Sequence, residues 1–100
     1  MKFTFDILPR VEEDIQEAFS YYEDIAEELA DDILLAVSES FDWVEESPLH
    51  YQTIYKNVRK CNIRRFPYAV YFTLQEKQIS VIGVLHLKRN PKTWMRRQQK

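Results

Sequence analysis

The residues that could do chemistry in this sequence are concentrated near its carboxyl end. An apolar stretch that ends at Leu87 is followed at once by a segment rich in cations, which also contains Trp94. Arginine donates two parallel hydrogen bonds to a phosphate, and an aromatic ring can stack on an unpaired base. Together with basic residues of the preceding strands, these residues predict a surface that binds a protein partner or a nucleic acid: Arg59, Arg64, Lys88, Arg89, Trp94, Arg96 and Arg97.

His86 adds a group that can exchange a proton near neutral pH. Metal-free cleavage of RNA needs such a group, and it needs cations that stabilise the extra charge on phosphorus. If the protein is an enzyme, we expect a metal-independent endoribonuclease with His86 as acid or base and with three phosphate-binding cations, Arg59, Arg65 and Arg89. Two alternatives stay open at this point: His86 could be a strand-end residue bonded to the backbone, and Trp94 could be an apolar lid folded back on the sheet.

Charge is distributed very unevenly along the chain. Residues 1–50 contain 2 Lys or Arg against 15 Asp or Glu, a net charge of −13, whereas residues 51–100 contain 12 against 1, a net charge of +11. Together these give the overall charge of −2. Such asymmetry indicates a polyanionic partner for the basic half. The alternative is that each half is merely solvated and that the two halves attract each other.

Several familiar classes of site are missing from the sequence. It contains no CxxC, HExxH, GxSxG or glycine-rich phosphate loop, and its two histidines are far apart, so we expect neither a metal site nor a cofactor. The single Cys61 excludes an internal disulfide and is predicted to be a small buried residue. Because neither a secretion signal nor a membrane-length apolar run is evident, a cytoplasmic location is expected.

Two amphipathic helices are predicted in the acidic half, where apolar residues recur every three or four positions. Pro9 suits the first position of the first helix. One helix over residues 10–46 would be about 55 Å long, too long for a domain of this size, so we predict two antiparallel helices with a turn near Glu27–Asp31. The predicted core stripes are Val11, Ile15, Ala18, Tyr22, Ile25 and Leu29, then Ile33, Val37, Phe41 and Val44.

The remaining elements are predicted to be strands. Phe3–Leu8 precedes the helices, and four segments rich in β-branched and aromatic residues follow them: Gln52–Lys56, Arg59–Phe66, Ala69–Leu74 and Ile79–Leu87. Short connections make the later strands an antiparallel meander. The predicted fold class is α+β, a single domain over residues 1–100 with a two-helix antiparallel hairpin on one face of a four- to five-stranded, mainly antiparallel sheet. The opposite face is expected to be uncovered and to gather the cations and Trp94 into one docking surface.

Three stretches of the sequence carry a resemblance to a known family. They are PRVEEDIQEAFSYYE, VRKCNIRRFPYAVYF and ISVIGVLHLKRNPKTWMRR. In this order they resemble the first helix, the central strands and the last strand with its tail in the RelE/ParE superfamily of bacterial type II toxins, often called plasmid stabilisation proteins. The resemblance implies a small α/β toxin made with an antitoxin, whose partly disordered tail folds on binding and covers the toxin.

The superfamily has two branches with different targets. RelE-like members cut messenger RNA in the ribosomal A site, whereas ParE-like members poison DNA gyrase. Arg59 and Arg89 match cations of the nuclease branch. Trp94, however, stands near its usual tyrosine, and Tyr68 or Ala69 replaces one of its arginines. The resemblance therefore implies a ParE-like toxin that acts on gyrase, with a ribosome-dependent mRNA endoribonuclease or an inactive binding module as alternatives. The implied assembly is a homodimer or a toxin–antitoxin hetero-oligomer, without a membrane partner.

Overall fold

The computed structural model describes residues 2–98, which form five strands and three helices. In chain order they are β1 (Thr4–Ile7), α1 (Pro9–Ile25), α2 (Glu27–Glu46), β2 (Thr53–Tyr55), β3 (Val58–Asn62), β4 (Tyr68–Gln75), β5 (Gln78–His86) and α3 (Lys92–Met95), with a 3-10 turn at Pro48–His50. Within this part of the chain, no helix is long and apolar enough to cross a bilayer.

The five strands form one mixed sheet in the order β1-β5-β4-β3-β2. Strands β2 to β5 are an antiparallel meander, and β1 adds to the edge of β5 in the parallel direction, with Thr4 opposite Gln78. The two long helices pack against each other, α1 over β5 and α2 over β3 and β4. The predicted fold class, an α+β domain with a helical hairpin on one face of a mainly antiparallel sheet, is confirmed.

The helical hairpin turns through a single residue. Ala26 has an extended backbone, with φ −164° and ψ 133°. Its N–H donates to the carbonyl of Tyr22 and closes α1, while its carbonyl accepts from Leu29 and Ala30 and opens α2. Since one ordinary extended residue satisfies both helix ends, no glycine or proline is needed. The turn predicted near Glu27–Asp31 was therefore placed too late.

The apolar stripes of the two helices form the main core against one face of the sheet, which we call the helix-covered face. Ile25 is 58% exposed, so its predicted place in the core is wrong; α1 ends at this residue and the chain turns back into α2. The buried members of this core are Val11, Ala18, Ile33, Val37 and Val44 from the helices and Cys61, Val70, Phe72, Ile79, Val81 and Val84 from the strands, together with Ile63 and Phe66.

The opposite face of the sheet is covered too, by the carboxyl-terminal segment (residues 87–98). A bulge at Ile82 in β5 keeps Val81 and Val84 on the helix-covered face and directs Ile82 and Leu85 to the opposite face. There they form a second buried cluster with Val58, Ala69, Tyr71 and Trp94. The expectation of an uncovered face is therefore wrong, because an apolar sheet surface of this kind must be shielded from water.

Strand β3 is shorter than predicted. The sequence predicted a strand over Arg59–Phe66, but β3 ends at Asn62, and residues 63–67 form the turn into β4. Arg65 adopts a positive φ of 76°, which a strand does not allow. This turn carries both Arg64 and Arg65 out of the sheet.

Candidate functional site

Arg59 lies on the helix-covered face of β3, on the same side as Cys61. Its Nη1 donates a hydrogen bond to the backbone oxygen of Tyr51, and its Nε is buried without a partner among residues 2–98. Arg59 therefore ties the segment before β2 to the sheet beneath the helices. It does not face the surface on which the sequence placed it.

Tyr51 is half-buried beside Arg59, and the buried Cys61 lies close to it. Burial raises the pKa of Tyr51 to about 12, and its hydrogen bond with Cys61 adds to the shift. Burial also raises the pKa of the Cys61 thiol. A buried thiol that stays protonated is a poor nucleophile, so Cys61 is the small buried residue that the sequence predicted.

Arg64 and Arg65 lie beside α2. The guanidinium of Arg65 is 3.5 Å from the carboxylate of Asp32. Together with Glu39 and Asp42, these residues line a shallow cleft of about 450 Å³. Since acids and bases share the cleft, it does not present the concentrated positive charge that a polyanion requires.

His86 ends β5 on the helix-covered face, opposite Tyr68. The two rings meet edge to face, with centroids 5.2 Å apart. The Nδ1 atom of His86 accepts a hydrogen bond of 3.0 Å from the backbone N–H of Lys88. Burial raises the pKa of Tyr68, and the nearby Tyr22 adds to this shift. His86 thus has the contacts of a strand-end residue bonded to the backbone, the alternative that the sequence left open.

The four residues of the predicted ribonuclease set do not form one cluster. Along β4 the register separates Arg59 from His86 by four residues, or about 13 Å. Arg65 and Arg89 contact carboxylates of different helices, Asp32 of α2 and Glu17 of α1. His86 and Arg89 are neighbours, because the N–H of Arg89 donates to the carbonyl of His86.

Trp94 is buried rather than exposed, with 8% of its surface accessible. Its ring stacks on Tyr71 with centroids 5.1 Å apart and planes 14° apart, and it meets Tyr55 edge-on. The expectation that Trp94 lies on an uncovered docking surface is therefore wrong. The sequence alternative, a lid folded back on the sheet, describes the structure.

Arg97 is directed inward as well and forms a buried ion pair with Asp14 of α1. Their side chains are 10% and 4% exposed. The guanidinium donates to both carboxylate oxygens, with 3.1 Å between Nη2 and Oδ1, and Nη1 also donates to the carbonyl of Ile82. We call this pair the Asp14–Arg97 latch, because it fastens the carboxyl-terminal segment to the first helix.

The latch lies beside the part of β5 that extends beyond its pairing with β1. The register of β1 with β5 ends at Val81, so the backbone groups beyond it have no strand on that side. The carboxylate of Asp14 accepts from the N–H of Val84 at 3.1 Å. A Cβ atom on Gly83 would lie 3.2 Å from Nη1 of Arg97, so the only glycine of the chain stands where the guanidinium passes closest to the strand.

Asp14 was missed as a site residue, although the sequence contained its signal. It lies three residues after Val11 and four before Ala18, on the buried stripe of α1. A carboxylate at such a position needs a buried partner. The spacing of residues could not identify this partner, because Arg97 is 83 residues away.

Four cations of the carboxyl-terminal segment point outward: Lys88, Arg89, Lys92 and Arg96. We call them the basic strip. Arg89 lies 4.0 Å from Glu17, whereas the other three form no ion pair within residues 2–98. Lys60 is a half-buried neighbour, since it lies opposite Tyr71, on which Trp94 stacks. Lys60 and Lys92 were not among the predicted site residues, although Lys92 belongs to the same run of cations.

The charge split along the sequence becomes a partial separation across the sheet. Helices α1 and α2 hold 14 of the 16 acidic residues of the chain and cover one face. The carboxyl-terminal segment, with its basic strip, covers the opposite face. The separation is partial, because Arg64 and Arg65 lie beside α2 and Arg89 contacts α1. A polyanion is attracted to the outward cations of the carboxyl-terminal segment.

Comparison with known proteins agrees with this fold. Residues 5–91 match the sequence model of the family described as "ParE toxin of type II toxin-antitoxin system, parDE". The chain is 32% identical over 82 residues to Toxin ParE2 of Mycobacterium tuberculosis strain CDC 1551 / Oshkosh, a match that covers 81% of this chain and 78% of that protein. Toxin ParE2 of strain ATCC 25618 / H37Rv matches with the same figures.

A solved structure shares the architecture. A chain described as "Chromosomal ParDE TA system from P. aeruginosa" matches with a TM-score of 0.74 and 13% sequence identity, covering 85% of this chain and 96% of that chain. At this identity the likeness shows the fold alone. The sequence matches carry the assignment, because they span most of the chain and exceed 30% identity. The chain belongs to the ParE toxin family of type II toxin–antitoxin systems, on the ParE-like side of the RelE/ParE superfamily.

Proposed function

We propose that this chain is a toxin subunit neutralised by a cognate antitoxin and that, when free in the cytoplasm, it acts as a single domain on DNA gyrase. The observation that carries the proposal is the match to the ParE toxin family over residues 5–91. Gyrase is the target typical of the ParE-like branch.

The arrangement of the cations supports the gyrase branch over the ribonuclease branch. A metal-free nuclease needs a proton-transferring group among its phosphate-binding cations. Here Arg59 is bound to Tyr51 under the helices, and Trp94 occupies the region where nuclease members have a tyrosine. An indole packed on Tyr71 cannot transfer a proton to a phosphate ester.

Exposed apolar side chains on the helical hairpin support an antitoxin partner. Tyr21, Ile25 and Leu35 are 59%, 58% and 69% exposed. Large exposed apolar side chains on otherwise acidic helices are typical of a surface that a second protein covers. A short segment that folds as it binds would bury them.

A supercoiling assay tests the proposed target. Purified toxin at micromolar concentration is added to gyrase and relaxed plasmid, and supercoiling is expected to stop. The cognate antitoxin, encoded by a short reading frame directly beside the toxin, should restore it. Gyrase that works normally at this toxin concentration contradicts the proposal.

The variant His86→Ala separates the ribonuclease alternative from the gyrase proposal. His86 is at a strand end and half-buried, so its replacement is expected to leave the fold intact. On the gyrase proposal, the variant still arrests growth and still inhibits supercoiling. If growth arrest disappears and the wild type cuts translated messages at specific codons, the toxin is a ribosome-dependent nuclease.

A further inference from the structure

We propose that the basic strip binds the phosphate backbone of double-stranded DNA, independently of its sequence. The inference rests on the proposed function, because it identifies the ligand class that this surface of the free toxin takes. It concerns residues Lys88, Arg89, Lys92 and Arg96, all of which are exposed.

The carboxyl-terminal segment has an inward side, which packs on the protein, and an outward side, which carries the exposed cations. Trp94 and Arg97 point inward, the first onto Tyr71 and the second into the latch with Asp14. These two anchors fix the backbone of α3 and its flanks against the sheet. Because the anchors hold the segment in one conformation, its outward cations are presented without a further loss of conformational entropy on binding.

The spacing of the cations suits a linear polyanion. Lys92 is the first residue of α3 and Arg96 directly follows its last, so the two lie on one side about 6 Å apart along the helix axis. Lys88 and Arg89 extend the strip towards the end of β5, and Lys60 flanks it on β3. Arginine supplies a planar fork for phosphate oxygens, and lysine supplies a point charge.

The electrostatic setting favours contact through this side. Lys88, Lys92 and Arg96 form no ion pair with a carboxylate in the part of the chain that the structure describes. The acidic helices lie across the sheet, on its helix-covered face. A negatively charged duplex is therefore attracted to the strip, at whose edge Arg89 meets Glu17 of α1, and is repelled by the rest of the hairpin. This difference sets the orientation of the toxin on DNA.

The burial of Trp94 favours duplex DNA over a single strand as the ligand of the strip. Single-stranded nucleic acids are held by bases stacked on exposed aromatic side chains, but Trp94 is buried between Tyr71 and Tyr55. An acidic protein segment generally needs an apolar anchor at the centre of its interface. Trp94 is too buried to be that anchor, and Leu87, which is 43% exposed, remains beside Lys88. A ligand that is bound chiefly by its phosphates fits the four exposed cations of the basic strip.

Fluorescence anisotropy with a labelled duplex of about 20 base pairs and arbitrary sequence tests the inference, on the full chain without gyrase. Binding is expected in the micromolar range or tighter at 50 mM salt, with a logarithmic salt slope of about 0.9 per phosphate contact. The double variant Lys92→Gln/Arg96→Gln should lower the slope by about 1.8 and weaken binding at least tenfold.

A matched control removes the same charge elsewhere. Lys2 and Lys77 are exposed beside the β4–β5 turn, at the end of β5 opposite Lys88. They are neighbours because the N–H of Thr4 donates to the carbonyl of Lys77. The variant Lys2→Gln/Lys77→Gln should bind the duplex within about twofold of the wild type. An equal loss in both variants overturns the inference, because net charge alone would then explain the binding.

Other ligand classes give separate outcomes. Tighter binding of a labelled single strand of the same length, or of a labelled ten-glutamate peptide, overturns the duplex assignment, as does a wild type that fails to bind at 50 mM salt. The supercoiling assay keeps the two proposals distinct. A toxin that inhibits gyrase without binding DNA refutes only this inference, whereas one that binds DNA and leaves gyrase active refutes only the proposed target.

Discussion

Replacing Asp14 with Asn removes one charge from the latch while keeping its shape. The amide oxygen can still accept from Val84, but Arg97 loses its counter-charge at a place where its side chain is only 10% exposed. Removing one partner of a buried pair costs about 3–5 kcal/mol, because an uncompensated charge stays buried. A domain of this size has about 5–15 kcal/mol of stability in total, so Asp14→Asn should remove a large share of it.

Urea denaturation measures the loss, with tryptophan fluorescence as the signal. In a Trp43→Phe background the only remaining indole is Trp94, which lies on the segment that the latch holds. The urea midpoint should fall in proportion to the lost free energy. In a thermal melt of the same variant, we expect the melting temperature to fall by at least about 12 °C, since 1 kcal/mol corresponds to about 4–8 °C in a domain this small. A red shift of the emission before global unfolding would show the segment detaching first.

The control variant is Glu17→Gln, one turn along the same helix. Glu17 is 73% exposed and lies 4.0 Å from Arg89, so its loss should cost less than about 1 kcal/mol. The double variant Asp14→Asn/Arg97→Gln should lose less than the sum of the two single changes. If Asp14→Asn is as stable as Glu17→Gln, the latch does not hold the segment and the reasoning is refuted.

Three further predictions concern the sheet and its cover. Gly83→Ala should cost about 1–3 kcal/mol in urea, because the new Cβ crowds the fixed guanidinium of Arg97; an unchanged midpoint would mean that Arg97 shifts freely. Trp94→Ala should cost about 3–5 kcal/mol by uncovering Tyr71, and a loss below about 1 kcal/mol would contradict a structural role. Since the pKa of Tyr51 rises from 10.0 to about 12 on folding, its contribution to stability is present below pH 10 and lost as the pH rises towards 12. Tyr51→Phe should therefore reduce the stability difference between pH 9 and pH 11, and an equal difference in the variant would refute the assignment.

Much of the fold could be read from local patterns. The spacing of Val11, Ala18, Ile33 and Val37 predicted two buried helical faces, and all four are buried. The length argument against one long helix also held. The predicted position of the turn was wrong, because Leu29 continues the apolar stripe beyond the end of α1. An extended alanine at position 26 also carries no sequence signal.

The surface was harder to predict than the core. Composition identified a basic segment, but not which of its members point outward. A four-residue helix such as α3 is too short to show a hydrophobic period. The sequence therefore could not predict that Trp94 and Arg97 point inward. The prediction for Arg59 was wrong for another reason. Alternation along β3 does not say which face of the strand the helices will cover.

The parallel pairing of β1 with β5 has a consequence for synthesis. Thr4 lies opposite Gln78, so the strand made first by the ribosome must wait for the strand made last before it has any neighbour in the sheet. Contacts this distant along the chain slow folding, because a long loop has to close before they form. The toxin therefore completes its sheet only after β5 has been made, which gives a partner produced alongside it time to be present when the harmful form first appears.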